Sequence, residues 1–335
     1  MITHTIIAAL RGDDTPQSHA QLAFKGALDH WHSQDDVVAI KGEIQRLSQG
    51  EAMESCPALR ALFDPDNAGQ TAQAFAHGFV DLHLATLRAE PMGHLALRHF
   101  TDGRISNILL AQVGGVSMSL VVHDAAAHAR SKPPASVSFT PADMWEIVLA
   151  GEAVAERVRL QPHEGGSARQ VDLAKRQIAL ETGDVWQRDG SQEMQFFHNI
   201  SGRIVRLTLQ RRQQADRPVR EYELASGKLI HQAAAEPKDS RHQIMLSLLG
   251  RMGRVDAAPV LADIASGAGD TALRWEALRE VLGMDTAMGF AALSRVARDM
   301  GDPLAASALA LRGQLLATYP QLRVLENQEA ELCPA

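Results

Sequence analysis

Cysteine is nearly absent from this 335-residue chain, and the two present, Cys56 and Cys333, lie far apart. They form no pair at metal-ligand spacing, which leaves a zinc-finger reading without support and points to a reduced compartment. Long hydrophobic runs are also missing. The longest, Ile108 to Val122, is interrupted by Gln112, Gly114 and Gly115 and falls short of the ~20 residues that span a bilayer. Positive charge is in deficit: 33 Lys and Arg against 40 Asp and Glu give a net charge of −7. That balance argues against nonspecific binding to nucleic acid or an anionic membrane, because either needs a positive field. There is no Walker loop, no G-x-G-x-x-G after a strand and no G-x-S-x-G elbow, so nucleotide-dependent and α/β-hydrolase chemistry lack support. The opening MITHTIIAALRG has a short apolar run with no basic side chain before it, unlike a secretory signal. A cytoplasmic protein is expected.

What is present is ordinary in composition, with 45% hydrophobic and 22% charged residues, and long enough for two or three domains. Residues 1–91 read as an N-terminal helical region. Leu22, Ala23, Gly26 and Ala27 with Trp31, then Val37, Ile40, Ile44 and Leu47, then Ala74, Phe75, Phe79, Leu82 and Leu87 recur near helical spacing. Asp35-Asp36 suits a helix start, and Cys56-Pro57 and Asp64-Pro65 suit breaks. Residues 92–235 read as eight to ten short strands. Asp102-Gly103 is a hairpin turn, the 108–122 run is two strands meeting at Gly114-Gly115, Trp145 to Leu160 is two strands around Gly151, and Pro162 to Gly166 is a loop.

The most informative stretch is Ile178 to Gln210. Gly183-Asp184 and Ser201-Gly202 read as turns, and Ile204, Val205, Leu207 and Leu209 nearly alternate with Arg203, Arg206, Thr208 and Gln210, as in a strand with one buried face. The order Gly151-Glu152, then Gly183-Asp184, then Asn199-Ile200-Ser201-Gly202 resembles the cupin superfamily. The stretch Tyr222 to Gly227 is similar to one that follows the last strands in thiol dioxygenases of the cysteine dioxygenase type. The resemblance covers roughly residues 92–232 and implies a jelly-roll barrel. Where cupin enzymes carry a His-x-His pair and a third His for iron or another divalent metal, this chain has Ser138 to Asp143 and Gln195. Neither Phe139 nor Thr140 can supply an imidazole nitrogen. No cofactor is therefore expected, with Fe, Ni or Zn as the alternative.

Candidate site residues follow. Trp145, Glu146, Gln195 and Phe197 are pocket candidates for a small-molecule ligand in the barrel. Alternation places Trp145 and Ile147 on one face and Glu146 and Val148 on the other, without deciding which is inside. Glu146 and Glu152 are either buried general bases or solvated strand carboxylates. His123, His128 and His198 are the barrel histidines that an unorthodox metal site would use. If Gln195 points inward, His198, three residues on, points out. His32 with Asp36, and His77 with Asp81, share helix faces, a signal that helix-surface pairing explains as well.

Past residue 236 the pattern changes to helical repeats. Segments opening at Asp239, Asp270 and Asp302 each begin with an Asp N-cap and continue as an apolar-striped helix, at periods of 31 and then 32. These units resemble HEAT-like repeats. Eight basic and eight acidic residues between 240 and 320 favour protein contact over nucleic acid, and Ile244, Met245, Leu248 and Leu249 are apolar enough to need cover, which the barrel is expected to supply. The fold class is thus α+β multidomain: helical N-terminal cap (1–91), cupin-like jelly-roll β-barrel (92–235) and C-terminal HEAT-like helices (236–335). Three functions fit it: a non-enzymatic small-molecule-binding or regulatory module with a protein partner on the repeats, a cupin-class oxidoreductase acting on a small thiol or acid, and an assembly scaffold. Unpaired sheet edges suggest a homodimer.

Overall fold

The computed structural model describes residues 12–67, 69–130, 133–162, 169–213, 218–233 and 237–325. The opening segment, the 163–166 loop, the linker at 234–236 and Cys333 lie outside the described residues. The chain combines helices with antiparallel sheet and divides into two compact units, one of residues 1–214 and 222–229, the other of residues 215–221 and 230–335. Among the described residues no helix is long and apolar enough to cross a membrane.

The first unit opens with helices α1 (Thr15–His32), α2 (Asp35–Ser48), α3 (Pro57–Leu62) and α4 (Gln70–Ala89). Asp35 and Asp36 occupy the first turn of α2, where the helix dipole favours negative charge. Their apolar stripes meet around Trp31, whose ring packs 5.0 Å from Phe79 and 5.6 Å from Phe75. One buried carboxylate is spent on the backbone: Glu43 Oε2 accepts the Leu59 N–H at 2.8 Å, capping α3 from a neighbouring helix.

The strands are β1 (His99–Thr101), β2 (Ile105–Val113), β3 (Val116–Asp124), β4 (Ser136–Phe139), β5 (Ala142–Pro162), β6 (Val171–Leu180), β7 (Val185–Asp189), β8 (Glu193–Arg212), β9 (Val219–Glu223) and β10 (Leu229–Ala233), with a short helix α5 (Ala125–Ala129) after β3. The main antiparallel sheet has the order β1-β2-β3-β8-β5-β6, and β7 also pairs with β5. The 102–104 and 114–115 turns fall where the sequence places them. Two expectations are corrected. Trp145 to Leu160 is not two strands but part of the single 21-residue β5, and the Asn199 to Gly202 segment is not a turn but lies inside the 20-residue β8. Both strands bend instead of ending, because they are paired with each other along their whole length. Register shifts at 148–150 and 150–152 absorb the bend without breaking the ladder.

Gly151 sits at this bend with φ +90°, and a Cβ there would lie 2.0 Å from the Arg203 carbonyl oxygen. Only glycine allows the strands to approach so closely. Gly202, also at positive φ (+73°), has nothing within 4 Å of its would-be Cβ.

One face of the sheet is covered by the helices. Val116, Met118 and Leu120 of β3, Trp145, Ile147 and Leu149 of β5, and Leu207 and Leu209 of β8 share a core with Ile44, Leu47, Leu59 and Phe79. Gln73 Nε2 donates to the Leu149 carbonyl at 3.0 Å, tying α4 to β5. The opposite face is inner, and Val148, Ala153, Ala155, Trp186, Phe197, Ile200 and Ile204 close around it. Farther along, Tyr222 packs edge-on against Phe139 with centroids 6.0 Å apart, beside Val137 and Val158.

The second unit contains α6 (Pro237–Arg251), α7 (Ala258–Ser266), α8 (Thr271–Met284), α9 (Thr286–Arg298) and α10 (Ala305–Thr318), around its own core of Leu261, Ala265, Leu278, Val281, Phe290, Leu293 and Val296. The three aspartates of the repeat have different tasks. Asp270 caps α8 through the Leu273 N–H at 2.8 Å. Asp239 lies within the first turn of α6 instead of capping it. Asp302 accepts the Leu304 N–H at 2.8 Å and the buried Arg274 guanidinium, which also donates to the Ala265 carbonyl at 3.2 Å. Ile244, Met245 and Leu248 of α6 are not part of that core.

The bend yields a direct comparison. Gly151→Ala should lower unfolding free energy by well over 2 kcal/mol, since strain at positive φ and a backbone collision add. Gly202→Ala should lose only about 1 kcal/mol, from positive φ alone. Urea denaturation of both variants measures this, and equal losses would refute the close-approach account.

Candidate functional site: a buried carboxylate beside a polar groove

The inner face is a grid set by register. Phe100 lies opposite Asn107, Asn107 opposite Val121, and Val121 opposite Arg206. The next row runs Leu109, Ser119, Thr208, Glu146, Trp186, and the one after it Gln112, Ser117, Gln210, Met144, Arg188. Directly opposed residues share a face, so these side chains line one surface. The polar residues Arg206, Thr208 and Gln210 of β8, whose alternation reads as a solvent face, are therefore inner. The helices claim the apolar alternates, which reverses the assignment that periodicity alone suggests.

At the β5 end this surface is closed by charge. Glu146 is 1% exposed and accepts hydrogen bonds from three side chains: Trp186 Nε1 at 2.9 Å, Arg188 Nε at 2.8 Å and Arg206 Nη1. Burial alone would raise its carboxyl pKa, but the Arg206 and Arg188 charges and the bonds from Arg188 and Trp186 outweigh it and hold the group below its usual value. It is a fixed anion, unsuited to taking a proton near neutrality. Arg206 in turn lies over the Phe197 ring at 5.1 Å and reaches His123 Nε2 with Nη2 at 2.9 Å. A guanidinium only donates, so Nε2 of His123 accepts and the imidazole is neutral. Burial first, and then the Arg206 charge, push the His123 pKa down to about 3.

The sequence candidates separate accordingly. Glu146, Phe197 and His123 come together, with His123 edge-on to Phe197 at 4.6 Å. Trp145 does not join them. It faces the helices, under the Arg211 guanidinium at 5.6 Å, because neighbouring strand residues point to opposite sides. Gln195, two residues before Phe197, accepts from Arg157 Nε at 3.1 Å, while its own Nε2 is buried without a partner. His198 points away: it is exposed and pairs with Glu156 at 2.7 Å. His128 lies on α5. His123, His128 and His198 therefore do not converge, and His123 Nε2 is already occupied. Among the described residues no three His, Cys, Asp or Glu side chains are placed to hold a metal ion, and this donor set does not fit a barrel metal centre. His32 lies against Trp31 at 5.2 Å, and burial lowers its pKa first, with the Lys41 charge adding to that.

Arg188, Arg206 and Trp186 escape sequence reasoning, and only the presence of one Glu in an otherwise apolar run of β5 hints that donors must face it. At the β1 end of the same face the grid opens into a groove of about 390 Å³, lined among others by Phe100, Asn107, Gln112, Ser117, Ser119, Thr208 and Gln210. Asn107 Oδ1 is buried there with no hydrogen-bond partner. No carboxylate lines it.

No family model and no curated protein matches this sequence. Among solved structures, a cupin superfamily protein from Desulfitobacterium hafniense is 18% identical, over 34% of this chain and 83% of that one, with a TM-score of 0.22. Vicilin from Capsicum annuum is 14% identical over 37% of this chain and 32% of its own, with a TM-score of 0.23. HutD from Pseudomonas fluorescens is 13% identical over 35% and 57%, with a TM-score of 0.24. At these values the similarities assign no activity.

Two outcomes follow from the charge network. Glu146→Gln leaves two buried guanidinium groups without their anion and should cost about 3–5 kcal/mol in urea denaturation followed by tryptophan fluorescence. Stability should also depend on pH through His123. The unfolded chain binds a proton near pH 6.5 whereas the folded imidazole resists it down to about 3, so stability is lost as pH falls from about 6.5 toward 3. Glu146, whose folded pKa is lowered, adds to the loss below its unfolded value of about 4.3. His123→Gln should flatten the change in urea midpoint between pH 7 and pH 4.5, and an unchanged slope would show that His123 is not its source.

Proposed function

We propose that the first unit is a cupin-like barrel that binds a small polar molecule without transforming it, in the groove between Phe100 and Gln210. The observation that carries this reading is the contrast along one sheet face. The only carboxylate on the three rows, Glu146, is enclosed by three donors, while the adjoining groove holds an unpartnered buried acceptor, Asn107 Oδ1. A buried polar atom left unpaired is costly, and a ligand that satisfies it regains that cost on binding. The groove volume of about 390 Å³ lies within the range of small-molecule sites, about 300–1,000 Å³. Among the described residues none of the hydroxyls that line it, Ser117, Ser119 and Thr208, is hydrogen-bonded to an imidazole or carboxylate: the imidazole on the groove, His99, pairs through Nδ1 with the Leu97 carbonyl at 3.1 Å, and nucleophilic catalysis requires such a pair. Two strands of 20 residues or more, bent together at Gly151, support the jelly-roll assignment, as does the Gly-Glu, Gly-Asp and Asn-x-Ser-Gly order in the sequence. The exposed Ile244, Met245, Leu248 and Met252 of the helical unit favour a protein-docking role for that part.

The test is a thermal-shift screen of small polar metabolites against the wild-type protein and against Ser117→Phe, which fills the groove. At least one compound should raise the wild-type Tm and leave Ser117→Phe unmoved. Compounds that stabilise both proteins equally, or none that stabilises either, would refute a ligand site here.

A further inference from the structure

We propose that the ligand of this groove is a neutral polyhydroxylated molecule, a free sugar or polyol. This rests on the reading of the groove as a ligand site and specifies its chemistry.

Asn107 Oδ1 is a buried acceptor with no partner, so the group that satisfies it must bring a hydrogen. A carboxylate group, or the dianion of a phosphate monoester, accepts only and leaves that atom unpaired. A hydroxyl donates. Apart from Arg98 and His99, the polar lining is neutral and able both to give and to receive: Gln112, Ser117, Thr208 and Gln210 each present an amide or hydroxyl. Hydroxyl groups on adjacent carbons have the same dual character, and an anion does not.

The second observation is Phe100. It is the cross-strand partner of Asn107, so both rings and amide stand on the same side of the sheet. At 60% exposure it is one of the most exposed large hydrophobic residues of the first unit. An apolar ring beside a set of neutral hydrogen-bonding groups matches a molecule whose C–H face lies against the ring while its rim of hydroxyls meets the amides.

The third is charge. The buried cation of the same row, Arg206, donates to Glu146 and His123 through its two terminal nitrogens, its Nε has no partner, and it does not line the groove. Arg98 at the groove rim donates to Gln112 Oε1 at 3.3 Å and stands exposed. An anion entering the groove would find only exposed basic groups, Arg98 and the His99 imidazole, and among the lining residues no buried charge, so its desolvation would be costly.

Calorimetric titration tests this with a defined panel: glucose, galactose, N-acetylglucosamine, myo-inositol and sorbitol as polyhydroxylated probes, and citrate, inorganic phosphate and glutamate as charged ones. At least one of the first group should bind saturably, and none of the second should bind more tightly. Phe100→Ala should weaken that binding about tenfold. Asn107→Leu should weaken it by tenfold or more while leaving Tm unchanged or raised, because it removes an unsatisfied buried acceptor. The unaltered fold distinguishes a lost contact from a collapsed site. If only a charged probe binds, and Ser117→Phe blocks it, the groove is a ligand site and the polyhydroxyl assignment is wrong. If polyhydroxylated probes bind equally to wild type, Asn107→Leu and Ser117→Phe, the assignment to this groove is wrong. If no probe binds, the polyhydroxyl assignment fails, and the metabolite screen decides separately whether the groove binds anything.

Discussion

Glu146 is the point on which the inner sheet depends. A carboxylate with 1% exposure cannot remain ionised unless donors replace its water, and the donors come from β7 and β8, with His123 of β3 braced behind Arg206. A shift of one residue in either pairing would turn these side chains to the other face. The network therefore selects one register among those that the apolar residues alone would tolerate. It also closes half of the inner face, which leaves the groove at the β1 to β3 end.

The bend at Gly151 and the network are mutually dependent. The register shifts around residues 148–152 let β5 and β8 stay paired through the corner, so the Glu146 half and the Phe197 half of the inner face converge. Phe197 reaches the Arg206 guanidinium and the His123 ring only because of that convergence. On the outer side, the helices cover Trp145, Ile147 and Leu149, which makes the sheet buried on both faces over its β5 portion. This double coverage is why polar residues of β8 can point inward. The solvent that would ordinarily claim them is excluded from the opposite, apolar side instead.

In the second unit a comparable role falls to Arg274, which is buried against Asp302 and the Ala265 carbonyl. It links the end of α7 to the segment before α10, across the repeat period visible in the sequence. Removing one partner of such a buried pair leaves the other charge uncompensated, which costs more than the pair contributes over an apolar substitute. Asp302 is not the N-cap that its position in the repeat suggests, a place taken by Leu304, but the anion that holds Arg274.

Much of the secondary structure could be read from the chain. The helical spacing of Val37, Ile40, Ile44 and Leu47, the turns at Asp102-Gly103 and Gly114-Gly115, and the N-cap at Asp270 are local signals, carried by side-chain periodicity and turn chemistry. His198 is exposed, but the register shift between Val154 and Ala155 leaves it as the extra residue of the ladder, so alternation alone does not set its direction. The rest was decided by partners distant in sequence. Gly151 and Gly202 look like turn residues, yet long-range pairing of β5 with β8 carries the strands through both. Alternation placed Trp145 and Glu146 on opposite faces, but only the helical layer determined that Trp145 is outer and Glu146 inner. The charge network escaped notice because its members come from four strands between residues 123 and 206. The groove at Asn107 is likewise a product of register, since no spacing in the sequence brings Phe100 and Asn107 beside Thr208. Local residue chemistry determined where helices and strands form, and tertiary packing decided which of their faces meets solvent, because a strand's two faces are distinguished only by what covers them.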